Sequence, residues 1–261
     1  MFQRFCFILI IMLQLQFVVN AAPESVKVCM MDTDLFPLWR QPRDENQTHP
    51  GINIELQQYI SYQLGHSIVW VRAPFPRCLV LLKQNEVDLL NVASYSPERE
   101  QYGLYPKING AIDIEKRLKS DAYHAYTLQH SHVVWDGESF SHIQDKPIAI
   151  EIGASIRKFL NEKTIPVYEV SRVDQAFGML ELGRVSAVVT NKFNGLSFIS
   201  TDVKELPVPI TTKPYYIMIS EKFHRDYPEY AEQIWEHSKD AREALYHGLL
   251  KKYGQFEDWP P

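Results

Sequence analysis

The chain has 261 residues, 45% hydrophobic and 23% charged, enough to bury one large core or two lobes of about 100–120 residues each. Its net charge of −5, with no basic block or stripe, argues against nucleic-acid binding. Three cysteines without a CxxC pair leave no cysteine spacing suited to a metal.

Residues 1–21 read as a secretory signal, with Arg4 in a short basic start, an apolar stretch over 5–19 and small residues at Asn20, Ala21 and Ala22. The stretch is shorter than the roughly 20 residues of a membrane-spanning helix. It also contains Gln14 and Gln16, so it is expected to be cleaved and the mature chain to enter an oxidising compartment. Cys6 leaves with it. Cys29 falls in a predicted strand and Cys78 in a predicted helix, and both a disulfide and two buried free thiols are open.

A strand over 26–31 leads through a polar loop to a helix with Leu56, Tyr59, Ile60 and Leu64 on one face, ended by Gly65. That loop holds Asn46, Gln47 and Thr48, a glycosylation sequon that matters only in a eukaryotic secretory route. A second strand follows over 67–71. Pro74 and Pro76 introduce a helix over 77–84, and the apolar run 87–93 is a third strand covered on both faces. The order βαβαβ implies a parallel sheet.

Beyond that strand, Ser96 falls at an N-cap, Pro97 at the first helical position and Arg99 in the first turn. A cation there opposes the positive end of the helix dipole, so helix stability does not select it. Beside a cleft, the same geometry offers an anion free backbone N–H groups and a planar guanidinium fork. The competing reading is an exposed arginine paired with Glu98 or Glu100. Arg77, at the start of the preceding helix, is likewise either a ligand contact or half of a surface ion pair. Asp88 starts its strand, remote from the ligand end, and reads as a turn or packing residue.

The helix–turn–strand device recurs at an offset of 98 residues, where Leu82 matches Leu180, Val87 matches Val185 and Ala93 matches Asn191. The second half also has a strand over 148–152, a turn at Gly153 and a helix over 156–160 that Ser155 can cap. Extended segments over 123–135 and 206–212 cross between the halves and imply a hinge. A strand over 215–219 and a helix over 228–246 then complete the first lobe. The resulting division is 22–125 with 213–261 for the first lobe and 126–212 for the second. His130 and His132 alternate on a predicted strand but lack a third ligand, so solvent-facing hinge histidines are favoured over a metal site. Tyr123, Tyr126, Tyr215 and Tyr216 lie near the crossings and either support the hinge or line the cleft.

Taken in order and spacing, residues 81–83, 85–88, 94–99, 153–155 and 182–189 resemble the type II periplasmic solute-binding proteins, specifically the family 3 receptors of polar amino acid uptake. The resemblance implies an α/β fold of two lobes, each a mostly parallel sheet flanked by helices, joined by two hinge crossings and closing over a small solute. It implies that Arg99 grips a carboxylate, helped by the strand end at Ser94 and Tyr95 and by the hydroxyl and N–H of Ser155. An aromatic clamp is expected from Phe36 or Trp39, in the loop after the first strand.

One position departs from the family pattern. The aspartate that faces an α-ammonium in such receptors is matched here by Asn191. Either Asp32, Asp34 or Glu151 supplies the missing charge, or the solute is not an ordinary α-amino acid. The expected partners are a small carboxylate-bearing solute and an inner-membrane ABC permease, with a monomeric chain and no cofactor or metal. A soluble sensory receptor and a small-acid dehydratase on the same fold are the alternatives to uptake.

Overall fold

The computed structural model describes residues 22–41, 49–143 and 146–253. The expected signal sequence, the Asn46 sequon and residues 254–261 lie outside the described residues. In the first half, β1 (Ser25–Met30), α1 (Ile52–Leu64), β2 (Ser67–Arg72), α2 (Phe75–Lys83) and β3 (Leu89–Ser94) follow in the predicted order. Gly65 ends α1 with a left-handed φ of 75°, its N–H bonded to the Ser61 carbonyl. Asp88 accepts the Lys27 N–H at 2.8 Å, a structural role at the foot of the sheet.

The crossing strand β4 (Lys119–Leu128) leads into the second half. There β5 (Ile148–Glu151), α3 (Ile156–Glu162), β6 (Val167–Val170), α4 (Val173–Glu181), β7 (Ala187–Asn191), α5 (Lys192–Leu196) and β8 (Val203–Glu205) follow. The return strand β9 (Thr211–Ile219) precedes α6 (Glu221–Asp226), α7 (Pro228–Ala241) and α8 (His247–Lys252). The final helix, expected over 228–246, runs on to Lys252, a π-helical turn at Arg242–Tyr246 joining α7 to α8.

These nine strands form one mixed sheet in the order β6-β5-β7-β4-β9-β3-β1-β2, with β8 beside β4. β1 runs parallel to β2 and β3, and β5 parallel to β6 and β7. The two halves meet at β4 and β9, which pair antiparallel, with Tyr123 opposite Thr211, Asp121 opposite Lys213 and Lys119 opposite Tyr215. β4 begins at Lys119, ahead of the expected segment 123–135, and residues 206–210 lead into β9 with the Leu206 and Ile210 N–H groups bonded to β4. Charged residues at the start of β4 hide the strand from an apolar-run reading. His130 and His132 lie beyond the end of β4 in an exposed turn, not on a strand.

Each half is covered on both faces, and alternation along the strands shows it. In the first half, Val28, Ile217 and Ile219 pack with Leu56 and Ile60 of α1 and with Ile234 and Trp235 of α7, whereas Cys29, Tyr216 and Met218 pack with Cys78 and Leu82 of α2. In the second, Ile148, Ile150 and Val189 pack against Ile156 and Leu160 of α3, while Ala149 and Val188 face Phe177 and Leu180 of α4. This is the two-sided burial that continuous apolar strands require. Cys29 and Cys78 are joined in a disulfide that ties β1 to α2 across 49 residues.

Candidate functional site

Strand ends from both halves, together with β4 and β9, enclose a cavity of about 110 Å³. Lys119, Asp121 and Tyr123 alternate along β4, so their side chains share one face, and all three line the cavity. Tyr215, opposite Lys119 on β9, completes this floor. Trp39, Asn53, Phe75, Ser94 and Arg99 contribute from the first half, and Glu151, Gly153, Asn191 and Asn194 from the second.

Arg99 is only 7% exposed. Ser96 precedes Pro97 at the start of the turn as predicted, but Pro97–Gln101 is a five-residue 3₁₀ turn and not an α-helix. So short a turn develops little dipole, and specific contacts hold the guanidinium instead. Nη1 donates to the Ser94 carbonyl and to its Oγ, each at 2.7 Å, and Nη2 donates to the Gly153 carbonyl at 2.9 Å. The guanidinium carbon lies 4.8 Å from the centre of the Phe75 ring. Glu98 instead meets Lys158 at 3.1 Å, and Glu100 meets Lys107 at 2.8 Å and the Tyr95 hydroxyl at 3.0 Å. Among the described residues, no carboxylate pairs with Arg99.

Gly153 takes φ +79°, a left-handed turn that suits glycine and aims its carbonyl at Arg99. Ser155 follows but does not cap α3, having helical backbone angles and no capping bond. Its hydroxyl lies 2.8 Å from that of Ser94 in the other half. Lys213 of β9 donates to the Ser155 carbonyl at 2.8 Å and to its Oγ at 3.2 Å. Burial, with the nearby Arg99 charge, pulls the Lys213 amine down to about 8.

The floor holds a buried ion pair. Lys119 Nζ and Asp121 Oδ2 are 3.5 Å apart, with both side chains only 2% exposed. Burial pushes the Asp121 carboxyl up and the Lys119 amine down, each opposed by the charge of the other. The Lys119 ammonium also lies 5.0 Å from the Phe193 ring centre and 5.5 Å from that of Tyr215. Glu151 accepts from Asn194 at 3.2 Å, and burial raises its carboxyl. Asn191 donates to the Tyr215 hydroxyl at 2.6 Å.

Of the residues singled out from sequence, Arg99, Ser94, Asn191, Trp39 and Glu151 line this cavity, and Ser155 sits beside it through Ser94 and Lys213. Others do not reach it. Tyr95 turns its hydroxyl to Glu100 and packs edge-on against Tyr105. Phe36 packs against Tyr253 and lies under the Arg40 guanidinium, 3.9 Å away, whereas Trp39 and Phe75 line the cavity. Arg77 is exposed and 4.0 Å from Glu86, the surface pair of its second reading. Asp32 is exposed, its carbonyl accepting from the Gln41 amide, and neither it nor Asp34 lines the cavity.

Residues 28–255 match the sequence profile of the bacterial extracellular solute-binding proteins, family 3. The chain belongs to this family. No protein of curated function matches it significantly in sequence. Its fold is similar to that of an ancestral arginine-binding protein bound to glutamine, at 17% identity and TM-score 0.70, over 90% of this chain and 99% of that one. It is also similar to the ancestral amino acid-binding protein AncCDT-1, a precursor of cyclohexadienyl dehydratase, at 16% identity and TM-score 0.68, over 89% and 96% of the two chains. The GluR0 ligand-binding core from Nostoc punctiforme, in complex with L-glutamate, matches at 18% identity and TM-score 0.66, over 90% and 100%. Likeness at this identity establishes the two-lobed α/β fold shared with the family.

Lys119, Asp121, Lys213, Asn53 and Phe75 escaped the sequence reading of this family 3 site. The available signal was Lys119 and Asp121 leading into the apolar run of β4, charges that a buried strand holds only when they are paired or used. Among the described residues, no group of three or more His, Cys, Asp or Glu side chains is arranged to hold a metal ion. No helix among them is long and apolar enough to cross a membrane.

Proposed function

We propose that the protein captures a small carboxylate-bearing solute, an amino acid or a related organic acid, between lobes formed by residues 22–125 with 213–261 and by 126–212. The guest's carboxylate meets Arg99, with Ser94 and the Gly153–Ser155 turn around it. One observation carries this reading: a guanidinium, nearly buried at the cavity wall, is held by two backbone carbonyls and a hydroxyl and has no carboxylate partner among the described residues. Neutral acceptors fix its orientation without cancelling its charge, so an anionic guest supplies the missing compensation. The amino acids named for the similar folds support the same solute class.

Binding without chemical turnover, delivery as a monomer to an ABC permease, and export to the periplasm behind a cleaved signal complete the proposal. Family membership supports the extracytoplasmic setting. Calorimetry on wild type and Arg99→Gln tests the central contact. Carboxylate binding is expected to weaken by about 2–5 kcal/mol in the variant, the usual effect of removing one side of a desolvated charge pair. Unchanged affinity refutes the assignment, and recovery of a chemically altered guest refutes pure binding.

A further inference from the structure

If a guest with its carboxylate at Arg99 also carries a positive end, the acidic side chains that line the cavity, Asp121 and Glu151, are the groups to meet it. Asn191 brings no charge, and its amide is already engaged with Tyr215. Asp32 and Asp34 do not line the cavity. Glu151 does, but it accepts from Asn194 and, unlike Asp121, has no buried oxygen left without a partner.

We propose that Asp121 is the acceptor for the guest's ammonium, and hence that the solute is a small zwitterion rather than a plain organic acid. This rests on the assignment of the carboxylate to Arg99. Asp121 lines the cavity, its side chain is 2% exposed, and its Oδ1 is buried without a hydrogen-bond partner. An ionised carboxylate offers about four acceptor positions. The Lys119 contact at 3.5 Å is longer than the roughly 2.7–2.9 Å of a well-made charge-assisted bond. Lys119 is further accommodated by the Phe193 and Tyr215 rings, so it does not exhaust the carboxylate.

The unmet demand in the floor is thus for a donor. Asn53 adds to it from the first half through its Oδ1, which is buried and unpartnered in the cavity wall, while its Nδ2 calls for an acceptor. A guest with an ammonium supplies N–H groups where a plain acid of the same skeleton leaves buried acceptors empty, a difference that sites of this kind discriminate strongly. Asp121 stands on a crossing strand opposite Lys213, which puts this contact where the two halves meet, between Arg99 and the second half.

Matched ligand pairs test the proposal by calorimetry on the mature protein: L-alanine and propanoate, L-leucine and 4-methylpentanoate, L-phenylalanine and 3-phenylpropanoate, L-glutamate and glutarate, L-arginine and 5-guanidinopentanoate. Each pair keeps the carboxylate and the skeleton and removes only the ammonium. At least one amino acid should bind about 100-fold or more tightly than its partner. Asp121→Asn should erase most of that difference, leaving the des-amino acid within about threefold of its wild-type affinity, whereas Arg99→Gln should weaken both members.

Equal binding of the two members by wild type overturns the proposal while leaving the Arg99 reading intact. So does loss of the difference in Glu151→Gln but not in Asp121→Asn. If Asp121→Asn does not fold, the wild-type pairs and Glu151→Gln still decide. Binding of the parent amines without carboxylate that is indifferent to Arg99→Gln, or failure of every carboxylate to bind, sinks the Arg99 reading and this proposal with it.

Discussion

Lys213 reaches from a crossing strand to Ser155 and stands beside Arg99, so its proton is tied both to folding and to an anionic guest. Its ammonium titrates at about 8 in the folded chain against 10.5 ordinarily. Between those values the unfolded chain binds more protons than the folded one, so stability rises with pH across that window. Below pH 8 the cost of burying the charge is fully present. A guest's carboxylate near Arg99 favours the charged amine, so binding draws in a proton. Affinity for carboxylates is therefore expected to fall as pH climbs through about 8. Calorimetry from about pH 6.5 to 9.5, repeated in buffers of different ionisation enthalpy, measures this, and Lys213→Met should flatten the profile above neutrality.

At the scale of elements, the Cys29–Cys78 link is the clearest lever on stability. It fastens α2 to β1, and its sequence separation of 49 corresponds to about 4 kcal/mol in the chain-entropy view, within a usual range of about 2–5. Urea unfolding with and without reductant should show a lower midpoint for the reduced form, and coincident curves would refute it. The elements themselves were largely legible. Apolar runs such as Leu89–Ser94 and Ala187–Asn191 bury both faces, and Gly65 marks a real helix end.

The misreadings share a cause. Ser155 has the right type and position for a cap, yet its hydroxyl is drawn across the cleft to Ser94 and Lys213 by contacts that no local pattern encodes. Phe36 and Trp39 sit in one loop, and only the packing of Phe36 on Tyr253, far along the chain, tells which ring faces the cavity. Asp121 was invisible for the opposite reason. The expected extended segment begins at residue 123, and only the pairing of β4 with β9 shows that the strand starts earlier and forms the centre of the sheet.

For the whole molecule, the polar contacts between halves are few. Among the described residues, Arg99 with Gly153, Ser94 with Ser155, Tyr123 with Ser155, Lys213 with Ser155, Asn191 with Tyr215 and the exposed Glu98–Lys158 pair join them. The exposed pair contributes at most about 1 kcal/mol. Ligand is expected to favour this closed arrangement, and solution scattering should show a smaller radius of gyration at saturation than in ligand-free protein. Identical profiles would refute a clamshell movement.

Lys119, Asp121, Tyr123 and Tyr215 belong both to the cavity floor and to the ribbons on which the lobes swing. Contact and articulation are therefore one piece of machinery. A substitution at any of these four positions touches both functions, so the difference between two matched guests isolates the grip better than a single dissociation constant.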